Sequence, residues 1–186
     1  MTQATDAPSL WSWVLDAMAV RALRDAVLTL QDAYGMSGSL VLWCAWAPRA
    51  GCVPPDETAV QIARHIEAFD RFAVRRLREV RRHLASPRPG YDDDEIARLR
   101  REVYEAELKG ERLLLTRLEH ETRACPDAAA PKDARAAAVG LFTLCRDNLE
   151  LPVLLADDLG ESGPTALFER VDALAPAAPG TEDENA

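Results

Sequence analysis

Three features of this 186-residue chain predict an all-α fold. Apolar residues recur every three or four positions along most of its length, Gly and Pro cluster between those stretches, and strand-like alternation is nearly absent. The arrangement predicted is a helical domain built on a long antiparallel two-helix hairpin, about 55–86 and 92–123, packed on shorter helices.

Each element follows from local signals. Ser9 is a good N-cap for a first helix carrying Leu10, Trp11, Val14, Leu15 and Met18. A second helix, from about Val20 to Tyr34, has Leu23, Val27, Leu30 and Tyr34 as its apolar stripe and ends at Gly35, suited to a left-handed C-terminal position. A third begins near Ser37 or Ser39. Its Leu40, Val41, Leu42, Trp43, Cys44 and Trp46 make it apolar all round, so it should be the buried centre. Pro48, Gly51, Pro54 and Pro55 close it.

From Pro55 to Ser86 the residues Ile62, Ile66, Phe69, Ala73, Leu77, Val80 and Leu84 form a seam of the coiled-coil kind. The run Ser86-Pro87-Arg88-Pro89-Gly90 breaks it. The second long helix starts at Asp92 or Asp93, ends before Pro126 and carries Ile96, Leu99, Val103, Ala106, Gly110, Leu114 and Leu118. Each long helix should measure about 45 Å at a rise of 1.5 Å per residue. A sixth helix spans about Asp133 to Leu151, before Pro152. The domain is expected over 9–156. An acidic segment with a short helix at 165–174 follows over 157–175, and then a disordered tail over 176–186.

The formal charge of −9 is uneven. From Asp157 onward there are eight acidic residues and one basic residue, so the acidity belongs to that segment and the preceding part is close to neutral. The cysteines Cys44, Cys52, Cys125 and Cys145 form no Cys-x-x-Cys pair, and Cys44 and Cys145 read as small core residues. No secretory signal precedes Leu10, and the apolar run Leu40 to Ala47 is too short to span a bilayer. A cytoplasmic, non-membrane protein is expected.

The landmarks in this order resemble an uncharacterised bacterial family of small helical proteins, known only as a domain of unknown function. They are Leu10-Trp11, Leu30-Gln31 with Gly35, the segment Leu40, Leu42 and Trp46, then Phe69, Val74, Leu77-Arg78 and Arg81, and finally Glu107-Leu108 and Glu111-Arg112. The resemblance runs from Leu10 to about Leu118. Phe69 stands where a Trp is usual and Arg76 where a Pro is usual. The resemblance implies no activity, cofactor or catalytic residue.

Candidate chemistry is sparse. No Glu-x-x-His pair accompanies His65, His83 or His120, so no metal is expected. No nucleophile elbow and no phosphate-binding Gly-rich loop occurs, so no catalytic residue and no cofactor is expected. The sharpest local feature is Arg71, Arg75, Arg78 and Arg82, which fall on one helical stripe. Arg76, Arg81 and Arg88 add to it. A turn near residue 89 would set Arg82 level with Glu95, Arg75 with Glu102 and Arg71 with Glu107, as exposed cross-helix pairs worth about 0–1 kcal/mol each. Trp11 and Trp46 should fill the core. Trp13 and Trp43 lie on other faces and could offer an exposed aromatic.

Three functions follow as expectations. The leading one is a protein-interaction or regulatory module without catalytic activity, whose surface comprises Arg71, Arg75, Arg78, Arg82, Trp13 and Trp43 and whose partner is another protein or a second copy of the chain. The second is a small-molecule-binding protein or enzyme with a pocket between helices one to three and the hairpin, lined by Gln31, Arg78, Glu107 and Glu111. A buried convergent polar group there would favour it. The third, nucleic-acid binding by the arginine stripe, is the weakest.

Overall fold

A computed structural model of the chain describes residues 8–87 and 89–149. Arg88, Pro152, the acidic segment 157–175 with the helix expected at 165–174, and the tail 176–186 lie outside the described residues. Within them the protein is all-α. The helices are α1 (Leu10–Ala19), α2 (Arg21–Tyr34), α3 (Gly38–Arg49), α4 (Asp56–Phe69), α5 (Arg75–His83), α6 (Asp93–Ala124) and α7 (Ala134–Asn148). A π-helical turn, Asp70–Val74, joins α4 to α5, so the three form one continuous rod.

Side-chain caps set the starts of three helices. The Ser9 hydroxyl accepts from Ser12 N–H, the Asp92 carboxylate from Glu95 N–H, and the Asp133 carboxylate from Arg135 and Ala136 N–H. Gly35 closes α2 with φ of 66°, a left-handed conformation that a Cβ would strain. Pro48 sits inside the last turn of α3 rather than beyond it. The loops after α3 and α6 meet in a single antiparallel bridge between Val53 and Ala129.

Helix α3 is the centre of the core. Every residue from Ser39 to Pro48 is buried, and α3 touches α1, α2, α4, α6 and α7. Trp43 and Trp46 are both fully buried, whereas Trp11 and Trp13 are half-buried at its edge. The expectation that Trp11 fills the core and that Trp43 could be exposed is therefore reversed. The cause is that α3 is enclosed on all sides while α1 lies at the rim. Cys44 and Cys145 are buried, as read from their apolar settings, and all four cysteines are free thiols.

The rod departs from its expected seam. Its buried face reads Ile62, Ile66, Asp70, Val74 and Arg78, a residue every fourth position. In a regular α-helix that spacing drifts by about 40° per step and would carry Arg78 well round the helix. The π turn contains one extra residue: Arg75 N–H donates to the carbonyl of Asp70, five positions back. That extra residue takes back about 100° of the drift. Val80, expected in the seam, is consequently 46 % exposed; Phe69, also expected there but lying before the turn, is 44 % exposed because Asp70 continues the inward face of Ile62 and Ile66 in its place.

Helix α6 crosses the rod at the π turn. Gly110 allows this, because a Cβ there would stand 2.9 Å from Val74 Cγ2. Rising numbers in α5 meet falling numbers in α6, with Val74 at Gly110, Arg78 at Glu107 and Arg81 near Tyr104, so the two helices are antiparallel. The register differs from that expected. The residues from Leu84 to Asp92 make a long connection, and the first turns of α6, residues 93–102, contain no buried side chain. Thus none of the three cross-helix pairs Arg82–Glu95, Arg75–Glu102 and Arg71–Glu107 is present.

Candidate functional site

Helices α1, α2 and α3 on one side and the π turn, α5 and α6 on the other enclose a cavity of about 340 Å³. Its walls are largely apolar: Trp11, Val14 and Met18 from α1, Val27 from α2, Leu42 from α3 and Leu115 from α6. Leu15, Leu28, Tyr104 and Leu108 also line it and are partly exposed, so they form its mouth. Gly38 keeps room for a polar wall residue: a Cβ there would lie 3.0 Å from Gln31 Oε1.

The floor is ionic. Arg78 is 5 % exposed, Glu107 3 % and Asp70 2 %. Arg78 donates from Nε to Glu107 Oε1 at 3.0 Å and from Nη2 to Glu111 Oε1 at 2.8 Å. Arg81 donates from Nε to Glu107 Oε2 at 2.5 Å and from Nη2 to Glu107 Oε1 at 3.2 Å. Glu107 thus joins two guanidinium groups. Asp70 Oδ2 accepts from Arg75 Nη2 at 3.3 Å, with the charge of Arg78 also nearby. Three carboxylates and two guanidinium groups line the cavity, and Arg75, behind Asp70, is a third guanidinium in the network.

Burial dominates the protonation of this floor. Desolvation pushes the carboxyl of Asp70 up, opposed by Arg78 and Arg75. Desolvation also raises Glu111, opposed by its bond to Arg78 and reinforced by Glu107 and Asp70. A carboxyl that holds its proton to higher pH can donate as well as accept, and once ionised it attracts a cationic group.

The sign of the effect on stability follows. The folded chain keeps a proton on Glu111 to higher pH than the unfolded chain does. Between the ordinary carboxylate value and the raised one, the native state binds more protons, so stability falls as pH rises through that window. The contribution is fully present below the unfolded value and is lost above the folded one. Glu111→Gln cannot titrate. Urea unfolding from pH 4 to 8 should therefore show wild type losing stability relative to Glu111→Gln as pH rises, and parallel curves would refute the assignment.

Gln31, Arg78, Glu107 and Glu111 all line this one cavity. Sequence reading missed Asp70 and Tyr104 and took Arg81 only as part of the arginine tract. The one signal for Asp70 is its place four residues after Ile66, on the face of Ile62 and Ile66.

The six residues of the expected interaction surface are not a common face. Arg78 and Trp43 are buried, Arg78 because the π turn rotates it inward and Trp43 because α3 is enclosed, its indole N–H donating to Thr122 Oγ1 at 2.8 Å. Arg75 is held by Glu67 and Asp70. Arg82 pairs with Asp32 of α2, and Arg71 stacks over Phe72 with its Cζ 4.8 Å from the ring centroid. Trp13 is half-buried. His65, His83 and His120 are exposed, and among the described residues no group of three or more His, Cys, Asp or Glu side chains is placed to hold a metal ion. No described helix is long and apolar enough to cross a membrane.

Comparison with known proteins adds a family and no activity. No curated protein and no solved structure matches the chain. The family described as "Protein of unknown function (DUF2390)" matches residues 9–118. That span runs from the N-cap of α1 into the last third of α6 and contains every residue lining the cavity. The chain belongs to this family of proteins of unknown function, and its charged cavity lies wholly within the family's shared segment.

Proposed function

We propose that this protein binds a small organic molecule in the cavity between α1–α3 and the rod, one with an apolar body and a hydrogen-bond-donating or cationic head. The observation that carries this reading is the floor: three acidic side chains against two arginines, largely withdrawn from water, facing a space walled by apolar groups. Taking such groups out of water costs several kcal/mol per ion, and a well-packed apolar core would serve stability at least as well. Small-molecule sites have this composition, a concave apolar wall with a few convergent polar groups, and volumes from about 300 Å³ upward. Trp11 offers an aromatic wall, with the Arg112 Cζ 5.2 Å from its ring centroid. Protein interaction through the arginine stripe has less support, since most of that stripe is spent on contacts within the chain.

The test uses charge-matched probes. Tryptamine should raise the unfolding temperature of the full chain, and indole-3-acetate, of similar shape with an anionic head, should not. Leu108→Trp, which fills the mouth, should abolish the tryptamine shift, and Asp70→Asn should weaken it. If a panel of aromatic and alkyl amines produces no shift, or if Leu108→Trp leaves the shift unchanged, the reading fails.

A further inference from the structure

A second, open cavity of about 430 Å³ lies against the mouth of the first and shares Arg81 and Tyr104 with it. Its other lining residues are Ala97, Arg100 and Arg101. Positions 97, 100, 101 and 104 fall at intervals of three and four, so they share one face of α6, and Arg81 faces them from α5. Ala97 is small and leaves the space open.

The electrostatics here are opposite to those of the floor. Arg100 and Arg101 make no ion pair among the described residues. Arg81 spends Nε and Nη2 on Glu107, which leaves its Nη1 edge for a further acceptor. Its Cζ lies 5.6 Å from the centroid of the Tyr104 ring, which fixes the guanidinium plane. A shelf with three guanidinium groups, two of them without a counter-charge, suits a compact anion that accepts paired N–H bonds.

We infer that the ligand of this protein is bipartite: a small phosphate ester whose phosphate rests on Arg81, Arg100 and Arg101 while its hydrogen-bond-donating end enters the acidic cavity. This rests on the ligand-binding reading above and sharpens it. The two cavities share Arg81, so one molecule can span them. The carboxylates within and the unpaired Arg100 and Arg101 outside then dictate which end enters. A phosphate is excluded from the floor by Asp70, Glu107 and Glu111, and an amine is repelled from the shelf.

Inorganic pyrophosphate and tryptamine probe the two ends separately. Pyrophosphate should bind the full chain by calorimetry, and the double variant Arg100→Ala/Arg101→Ala should weaken it at least about tenfold, as the loss of two charge-assisted contacts implies. Neither residue is part of the buried network, so the variant should fold with unchanged stability and unchanged tryptamine affinity. Leu108→Trp should block tryptamine alone, and in wild type both probes should bind together. Undetectable pyrophosphate binding, or binding indifferent to the double variant, overturns the inference and leaves the inner site standing if tryptamine still binds. Failure of tryptamine with pyrophosphate retained sinks the ligand reading of the inner cavity. A single-stranded oligonucleotide that displaces pyrophosphate and loses affinity steeply with salt would instead identify the shelf as a nucleic-acid contact.

Discussion

Glu107→Ala should destabilise the protein by about 3–5 kcal/mol, the effect of stranding a buried ionic partner. Glu107 is 3 % exposed and accepts from Arg78 once and from Arg81 twice. Its loss leaves Arg78, itself buried, hydrogen-bonded only to the half-buried Glu111, with the charge of Asp70 nearby. For a domain whose total stability is of the order of 5–15 kcal/mol, that is a large share. The paired replacement Arg78→Met with Glu107→Leu removes both charges and keeps the volume. It should cost less than Glu107→Ala, because the two groups it leaves without their partners, Arg81 and Glu111, are each more than a quarter exposed and can be hydrated, while it abolishes recognition of a cationic head. Urea unfolding followed by circular dichroism measures both variants. A cost below about 1 kcal/mol for Glu107→Ala would mean that water reaches the network freely.

Trp43→Ala should cost about 3–5 kcal/mol, the range for deleting a large buried aromatic. Trp43 is fully buried in the helix that touches five others, so the space it leaves cannot collapse from any one side. Trp43→Phe separates packing from hydrogen bonding. It keeps most of the apolar contact and gives up the bond from Nε1 to Thr122 Oγ1. Thr122 still donates to the carbonyl of Leu118 at 2.7 Å, so only an acceptor site is left empty. Thr122→Val does the reverse and orphans a buried indole N–H, which should cost about 1–3 kcal/mol. Thermal unfolding of the three variants should rank Trp43→Ala as the most damaging. A cost for Trp43→Ala no larger than that of Thr122→Val would show that the α3 core repacks easily.

The helices were legible in the sequence because their ends are local events. Ser9, Asp92 and Asp133 cap their own N-termini, and Gly35 takes a conformation that its residue type permits. The π turn was not legible. Its extra residue leaves no mark in composition, since Asp70, Arg71, Phe72, Ala73 and Val74 would sit equally well in an ordinary helix. Extrapolating a regular period across it placed Val80 inside, and taking Phe69 as the step after Ile66 left Asp70 unnoticed. The candidate site was legible in part. Gln31, Arg78, Glu107 and Glu111 were singled out as polar residues among apolar landmarks. Their partners were not, because the pairing of α5 with α6 depends on the length of the connection and on the close approach at Gly110.

The π turn also decides which changes of length the rod can absorb. Removing one residue between Asp70 and Val74 would turn the wide turn into an ordinary α-turn, with Ile62 and Ile66 before it and Val74 and Arg78 after it keeping their inward aspect. Removing one residue elsewhere in the rod would rotate everything downstream by about 100°. Among natural variants of this family, single-codon gaps in the rod should therefore gather at this turn, and shorter members should retain the inward arginine.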